Sequence, residues 1–136
     1  MISFNYETTF KLDNEVEISA WIVNTILSEN CKEGEINYIF CDDMYLHKLN
    51  VEFLEHDTLT DIISFDYSLG KELHGDIYIS MDRVADNAKD FGVDRSEELQ
   101  RVMIHGVLHY CGFKDKTEED AKLMREKEDY YLSVLN

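Results

Sequence analysis

Proline is absent from the 136 residues, where average usage would supply roughly seven. Turns therefore rest on glycine, asparagine and aspartate, and no proline-rich linker divides the chain. Basic residues are scarce as well: 13 Lys and Arg stand against 29 Asp and Glu, a formal net charge of −16. A field of that sign repels polyanions at long range, which argues against a protein that grips nucleic acid through its overall charge. The three cysteines, Cys31, Cys41 and Cys111, are an odd number at scattered spacings with no C-x-x-C pair. They read as reduced, buried thiols and not as a disulfide framework. No run of about 18 apolar residues occurs, and Asn5, Glu7 and Thr8 interrupt the apolar positions between Met1 and Lys11. Neither a membrane span nor a signal peptide is expected, and a cytoplasmic location is.

What is present suffices for one domain over residues 1–136. Hydrophobic residues make up 44% of the chain, enough to bury a core without staples. The charge is unevenly placed: residues 1–68 carry three lysines against 14 acids, whereas the other 10 basic residues lie in 69–136 against 15 acids. A local basic patch in the second half can escape the global sign within a Debye length of about 8 Å.

Hydrophobic periodicity places the elements. Ile2 to Tyr6 alternates like a strand. Asn14 and Glu17 form a capping pattern ahead of an amphipathic helix over about 15–29, whose apolar stripe is read as Val16, Ala20, Val23, Ile26 and Leu27. Ile36 to Cys41 reads as a strand, and Asp42 or Asp43 caps a short helix through Leu46, Leu49 and Phe53. Ile62 to Tyr67 and Asp76 to Ser80 read as strands joined through a turn at Gly70, with Gly75 as the boundary. Helices follow from Arg83 to Phe91, from Asp94 to Gly112, and from Thr117 onward with Ala121, Met124, Tyr131 and Leu135 on one face. From Val102 the second of these is apolar on nearly every side, so it is expected to be buried. The pattern predicts an α+β fold, a small mixed sheet of about four strands covered by helices, with a central buried helix that carries two histidines.

Those histidines carry the chemistry. In His105-Gly-Val-Leu-His109-Tyr-Cys-Gly112-Phe-Lys-Asp115, side chains four apart on a helix share a face, so both imidazoles can address one ion. Gly112 permits a left-handed reversal that returns Asp115 toward them. Three protein ligands with an open fourth position is the catalytic form of a zinc site. The protease pattern H-E-x-x-H is not met, because Gly106 stands where the general-base glutamate would be. A phosphodiester needs charge neutralisation, alignment and an activated water, which an ion held beside His105 supplies.

The run from His105 to Asp115 resembles the signature of the YbeY endoribonuclease family, H-G-x-L-H-x-x-G-Y-D-H. The similarity extends through Thr60-Asp-Ile-Ile-Ser-Phe65, Gly75-Asp-Ile77, Glu98-Leu99, Met124 and Glu128. The resemblance implies a metal-dependent, single-strand-preferring endoribonuclease in small-subunit ribosomal RNA maturation and ribosome quality control. Ribosomal RNA and the small subunit or its proteins are the implied partners, and neither DNA nor a membrane is expected. By position it assigns His105, His109 and Asp115 to one Zn²⁺ per chain, with His105 as the catalytic position. Asp115 stands where the family has a third histidine, and that oxygen donor admits other divalent ions. Leu54 follows Asn50-Val-Glu-Phe53 where many members carry an arginine.

Glu128 shares a face with apolar residues, so it is expected either to hydrogen-bond a ligand or to hold its head in water at an edge. Asp61 and Ser64 lie in the strand that the family places beside the cleft, and are expected to position substrate or to close strand-end hydrogen bonds. His47, His56 and His74 lack ligand spacing and read as surface or capping residues, and Trp21 as core. A non-catalytic ribosome-assembly factor with a structural metal is the alternative, favoured by Leu54.

Overall fold

The computed structural model describes residues 1–54 and 60–135, apart from the side chain of Leu54. Position 54 and His56, both singled out by the sequence, therefore fall outside the described side chains. The elements run Ile2–Tyr6 (β1), Glu15–Ser28 (α1), Lys32–Cys41 (β2), Asp43–Leu54 (α2), Ile62–Asp66 (β3), Glu72–Ser80 (β4), Met81–Phe91 (α3), Arg95–Tyr110 (α4) and Glu118–Leu135 (α5). Four strands form one mixed sheet in the order β1-β2-β4-β3. β1, β2 and β4 are parallel, and β3 joins the edge antiparallel to β4. The expected α+β architecture is the one observed.

β2 and β4 begin four residues earlier than alternation predicts, because Lys32 and Glu33 pair with Glu72 and Leu73. The backbone ladder carries polar side chains along where no apolar signal marks a strand. Gly75 lies inside β4 and not at its boundary. A Cβ there would collide with the Tyr110 hydroxyl and the Phe65 carbonyl, so the bare backbone is what lets α4 dock on the sheet edge.

Alternation along β2 and β4 gives the sheet one closed face. Ile36, Tyr38, Phe40, Leu73, Ile77 and Ile79 point into the main core with α1 and α4. The opposite face is partly covered by α2, where Leu46 packs with Cys41 and Ile63. α1 is a helix where expected, but its buried side is Ile18, Trp21, Ile22, Thr25 and Ile26. Of the stripe read from sequence, Ile26 is buried, whereas Val16 and Leu27 are exposed. Two apolar stripes compete on this helix, and the one bearing Trp21 wins because the indole fills the core and donates to the Tyr131 carbonyl at 2.8 Å. Asn14 makes no side-chain cap; its amide turns instead to the Glu17 carboxylate at 3.4 Å. Thr117 does cap α5, accepting from the Asp120 N–H at 3.0 Å.

α4 runs through the centre of this arrangement. Val102, Met103, Ile104, Val107 and Leu108 are all buried, and the Tyr38 hydroxyl donates to the Met103 carbonyl at 2.9 Å. Gly106 faces Ile62 and Ile77, whose side-chain atoms would lie 3.1 and 3.2 Å from an added Cβ. A glutamate at 106 would thus point into the sheet. The missing protease base is therefore a packing requirement of this helix as well as a gap in a motif. Among the described residues, no helix is long and apolar enough to cross a membrane.

Candidate metal centre and cleft

Helix termination builds the site. At the end of α4, Gly112 adopts φ 107°, and its N–H and that of Phe113 return to the carbonyls of His109 and Leu108, each at 3.0 Å. This is a left-handed helix stop that a residue without Cβ adopts freely. The reversal places the Phe113 carbonyl 2.9 Å from His109 Nδ1. It also carries the Asp115 carboxylate back over the helix, with Oδ2 at 3.3 Å from Nε2 of both His105 and His109. The two Nε2 atoms are 3.0 Å apart on nearly perpendicular rings.

Proton bookkeeping gives the meaning of this triangle. A carbonyl only accepts, so His109 Nδ1 carries the proton and its Nε2 a lone pair. His105 Nδ1 lies 2.6 Å from Glu128 Oε2, and an ionised carboxylate likewise only accepts, so Nδ1 is again the protonated nitrogen and the neutral ring presents a lone pair at Nε2. Two imidazole lone pairs and a carboxylate oxygen thus face one another with edges of 3.0–3.3 Å. The ligand edges of a tetrahedron with bonds of about 2.0–2.1 Å are about 3.3 Å. Such a group attracts positive charge to its centre, and its edges match those of the ligand shell of a small divalent cation. Among the described residues, His105, His109 and Asp115 are the group whose donor atoms gather closely enough to hold a metal.

Supporting contacts fix this geometry. Glu128 is 4% exposed, and its other oxygen accepts from Arg101 Nη1 at 3.0 Å, while Arg101 Nη2 reaches Asp129 at 2.8 Å. Burial alone would lower the His105 imidazolium pKa, but the Glu128 hydrogen bond and charge, with Asp115 and Asp61, hold it above its ordinary value. The Tyr110 hydroxyl donates to the Phe65 carbonyl at 2.9 Å and ties the end of α4 to β3.

A cleft of about 540 Å³ opens beside the triangle. Asp61 lines it just before β3 and lies 3.4 Å from the Asn87 amide; burial raises its carboxyl pKa. Ser64 is exposed and lies outside that lining, beside the Tyr110 hydroxyl. His74 is bonded to Glu72 at 2.9 Å and to the Glu35 N–H at 3.1 Å, away from the site. Sequence reasoning missed Arg101, and it gave Glu98 no role, although Glu98, Arg101, His105 and His109 recur at spacings of three and four on one face of α4. Burial, with Asp61 nearby, raises the Glu98 carboxyl pKa.

Fold and site together define a helix-borne His-His-carboxylate centre on an α+β scaffold, the kind of site used by metal-assisted hydrolases. The sequence profile of the family described as Endoribonuclease YbeY matches residues 2–136, and the chain belongs to this family, a class of hydrolases that cleave RNA. It is 62% identical over 136 residues to the Endoribonuclease YbeY of Flavobacterium johnsoniae, covering all of this chain and 98% of that protein. It is 54% identical over 135 residues to that of Christiangramia forsetii, covering 99% and 94%. A Thermotoga maritima protein solved in solution shares the fold, with a TM-score of 0.71 at 24% identity over 99% of this chain and 89% of that one.

Proposed function

We propose that this protein is a zinc-dependent endoribonuclease that cleaves single-stranded RNA during small-subunit ribosomal RNA maturation and ribosome quality control in the cytoplasm. His105, His109 and Asp115 are its metal ligands in this reading. The observation that supports it most is the inward-facing triangle of lone pairs, with both Nδ1 protons already committed to Glu128 and Phe113. When bound, a divalent cation supplies Lewis-acid polarisation of a phosphodiester and lowers the pKa of coordinated water. Glu128 keeps His105 in the tautomer that leaves Nε2 free, and the Phe113 carbonyl does the same for His109. Asp61 orients substrate from the cleft wall, whereas Ser64, at the Tyr110 hydroxyl outside that wall, supports the strand. Because Asp115 is an oxygen donor, Mn²⁺ is the ion most able to replace zinc.

The net charge of −16 bears on delivery more than on chemistry. A chain that repels polyanions at a distance is best supplied with RNA by a bound partner, and the small ribosomal subunit or its proteins fill that role. The test is incubation of unstructured and structured RNA with protein, with protein plus chelator, and with a His105→Ala variant. Cleavage of the unstructured RNA that is lost in both controls is expected; cleavage that survives in the variant overturns the assignment.

A further inference from the structure

The cleft holds more than the metal centre and its supports. Phe91, the last residue of α3, is 60% exposed and lines the same cavity as His105 and Asp115. Gly92 follows with φ 68° and ends the helix, and the ring is both part of the cleft lining and open to solvent. Arg125 of α5 lines the same cavity, and its side chain is 57% exposed. The two cleft guanidiniums differ in commitment. Arg101 is 17% exposed and bonded to Glu128 and Asp129, whereas Arg125 approaches Glu128 only at 3.9 Å, on an oxygen already held by Arg101. Arg125 therefore keeps its planar fork available for a phosphate.

We propose that Phe91 and Arg125 form a subsite for one unpaired nucleotide, the ring taking the face of the base and the guanidinium the adjoining phosphate, next to the metal centre. This rests on the reading of the protein as an endoribonuclease and names how the substrate is seated. A cavity of about 540 Å³ falls within the roughly 300–1,000 Å³ of ligand sites. An exposed aromatic ring gains when a base covers it, and only a base free of its own stack offers that face. The subsite thereby selects single strands without reading sequence. It also places an uncommitted positive charge in a cleft whose other charged groups are the carboxylates of Asp61, Glu98, Asp115 and Glu128 and the already paired Arg101.

The test measures anisotropy of labelled RNA hexamers of adenosine and of uridine at low salt with chelator present, alongside cleavage by the metal-supplemented protein. Phe91→Ala weakens adenosine-hexamer binding by roughly 5- to 150-fold, the worth of one base–aromatic stack, and abolishes the preference for adenosine over uridine. Arg125→Ala weakens both hexamers by about tenfold, as for one lost charge-assisted contact, and Arg125→Lys recovers part of it. Phe91→Trp retains binding and gives an indole fluorescence that adenosine hexamer quenches. Both side chains are exposed, so the variants melt with the wild type. Wild type that cleaves RNA while both alanine variants bind hexamers unchanged overturns the subsite and leaves the proposed function standing. Wild type that neither binds nor cleaves overturns both.

Discussion

Replacing Glu128 by glutamine changes one atom type in the wall of the cleft, and its consequences follow from counting donors. The carboxylate accepts from His105 Nδ1 at 2.6 Å and from Arg101 at 3.0 Å; an amide has one acceptor oxygen and one donor nitrogen for the same two donors. If the oxygen faces Arg101, the amide N–H meets His105 Nδ1 and drives the proton to Nε2, where it points at the centre of the ligand triangle. If the oxygen faces His105, the N–H is forced against the guanidinium. The first outcome removes a ligand lone pair, and loss of such a supporting contact costs roughly 10- to 100-fold in metal affinity, about 1.4–2.7 kcal/mol. The stability cost is about 1–3 kcal/mol for one unsatisfied buried donor. It stays below the roughly 3–5 kcal/mol of a fully broken buried ion pair, because Arg101 retains Asp129. A loss of that size lowers the midpoint of thermal unfolding by roughly 3–12 °C in a chain of this length. Zinc affinity by competition with a chromophoric chelator, together with a thermal melt, reads both effects. A variant that binds zinc as tightly as wild type and melts at the same temperature refutes the orienting role of Glu128.

Further predictions concern the scaffold and the charge. Gly75→Ala forces a methyl against the Tyr110 hydroxyl and the Phe65 carbonyl and costs about 1–3 kcal/mol; an unchanged urea midpoint would contradict the close approach of α4 to β4. Tyr110→Phe removes the donor to Phe65 and costs about 0.5–1.5 kcal/mol on the same assay. Stability falls as pH rises from about 9 to 12, since burial, with Asp42 and Asp43 nearby, pushes the Cys41 thiol up to about 12. A raised folded-state pKa contributes stability that is complete below the unfolded value and lost as pH climbs through the folded one. Cys41→Ala makes that part of the profile shallower, the remainder coming from Cys111, Tyr6 and Tyr110, which burial also raises, and an identical decline in the variant would remove Cys41 as a contributor. Non-specific RNA binding is weak and weaker still in physiological salt; tight, salt-insensitive binding would show that the global charge does not govern encounter.

Much of this was legible in the sequence because local signals and tertiary demands agree. The alternation of Ile2 to Tyr6, the run of apolar residues after Val102, and the stops at Gly92 and Gly112 each name an element that forms as expected. The gathering of His105, His109 and Asp115 was legible because these residues are local: two histidines one turn apart and a carboxylate returned by a glycine reversal. Where the reading failed, the deciding partner lay far along the chain. The phase of α1 is set by Trp21 reaching Tyr131, 110 residues away. The early starts of β2 and β4 are set by their pairing with each other. Arg101 carried no visible role because Glu128 and Asp129 come from α5, and helix-face spacing shows which residues share a side, not what meets them there.

Metal analysis of protein produced with zinc supplementation decides whether His105, His109 and Asp115 hold one cation. About one zinc per chain is expected in the wild type and none in a folded His105→Ala/His109→Ala variant. A well-folded wild type that carries no metal under supplementation, or a double variant that retains it, would contradict that expectation.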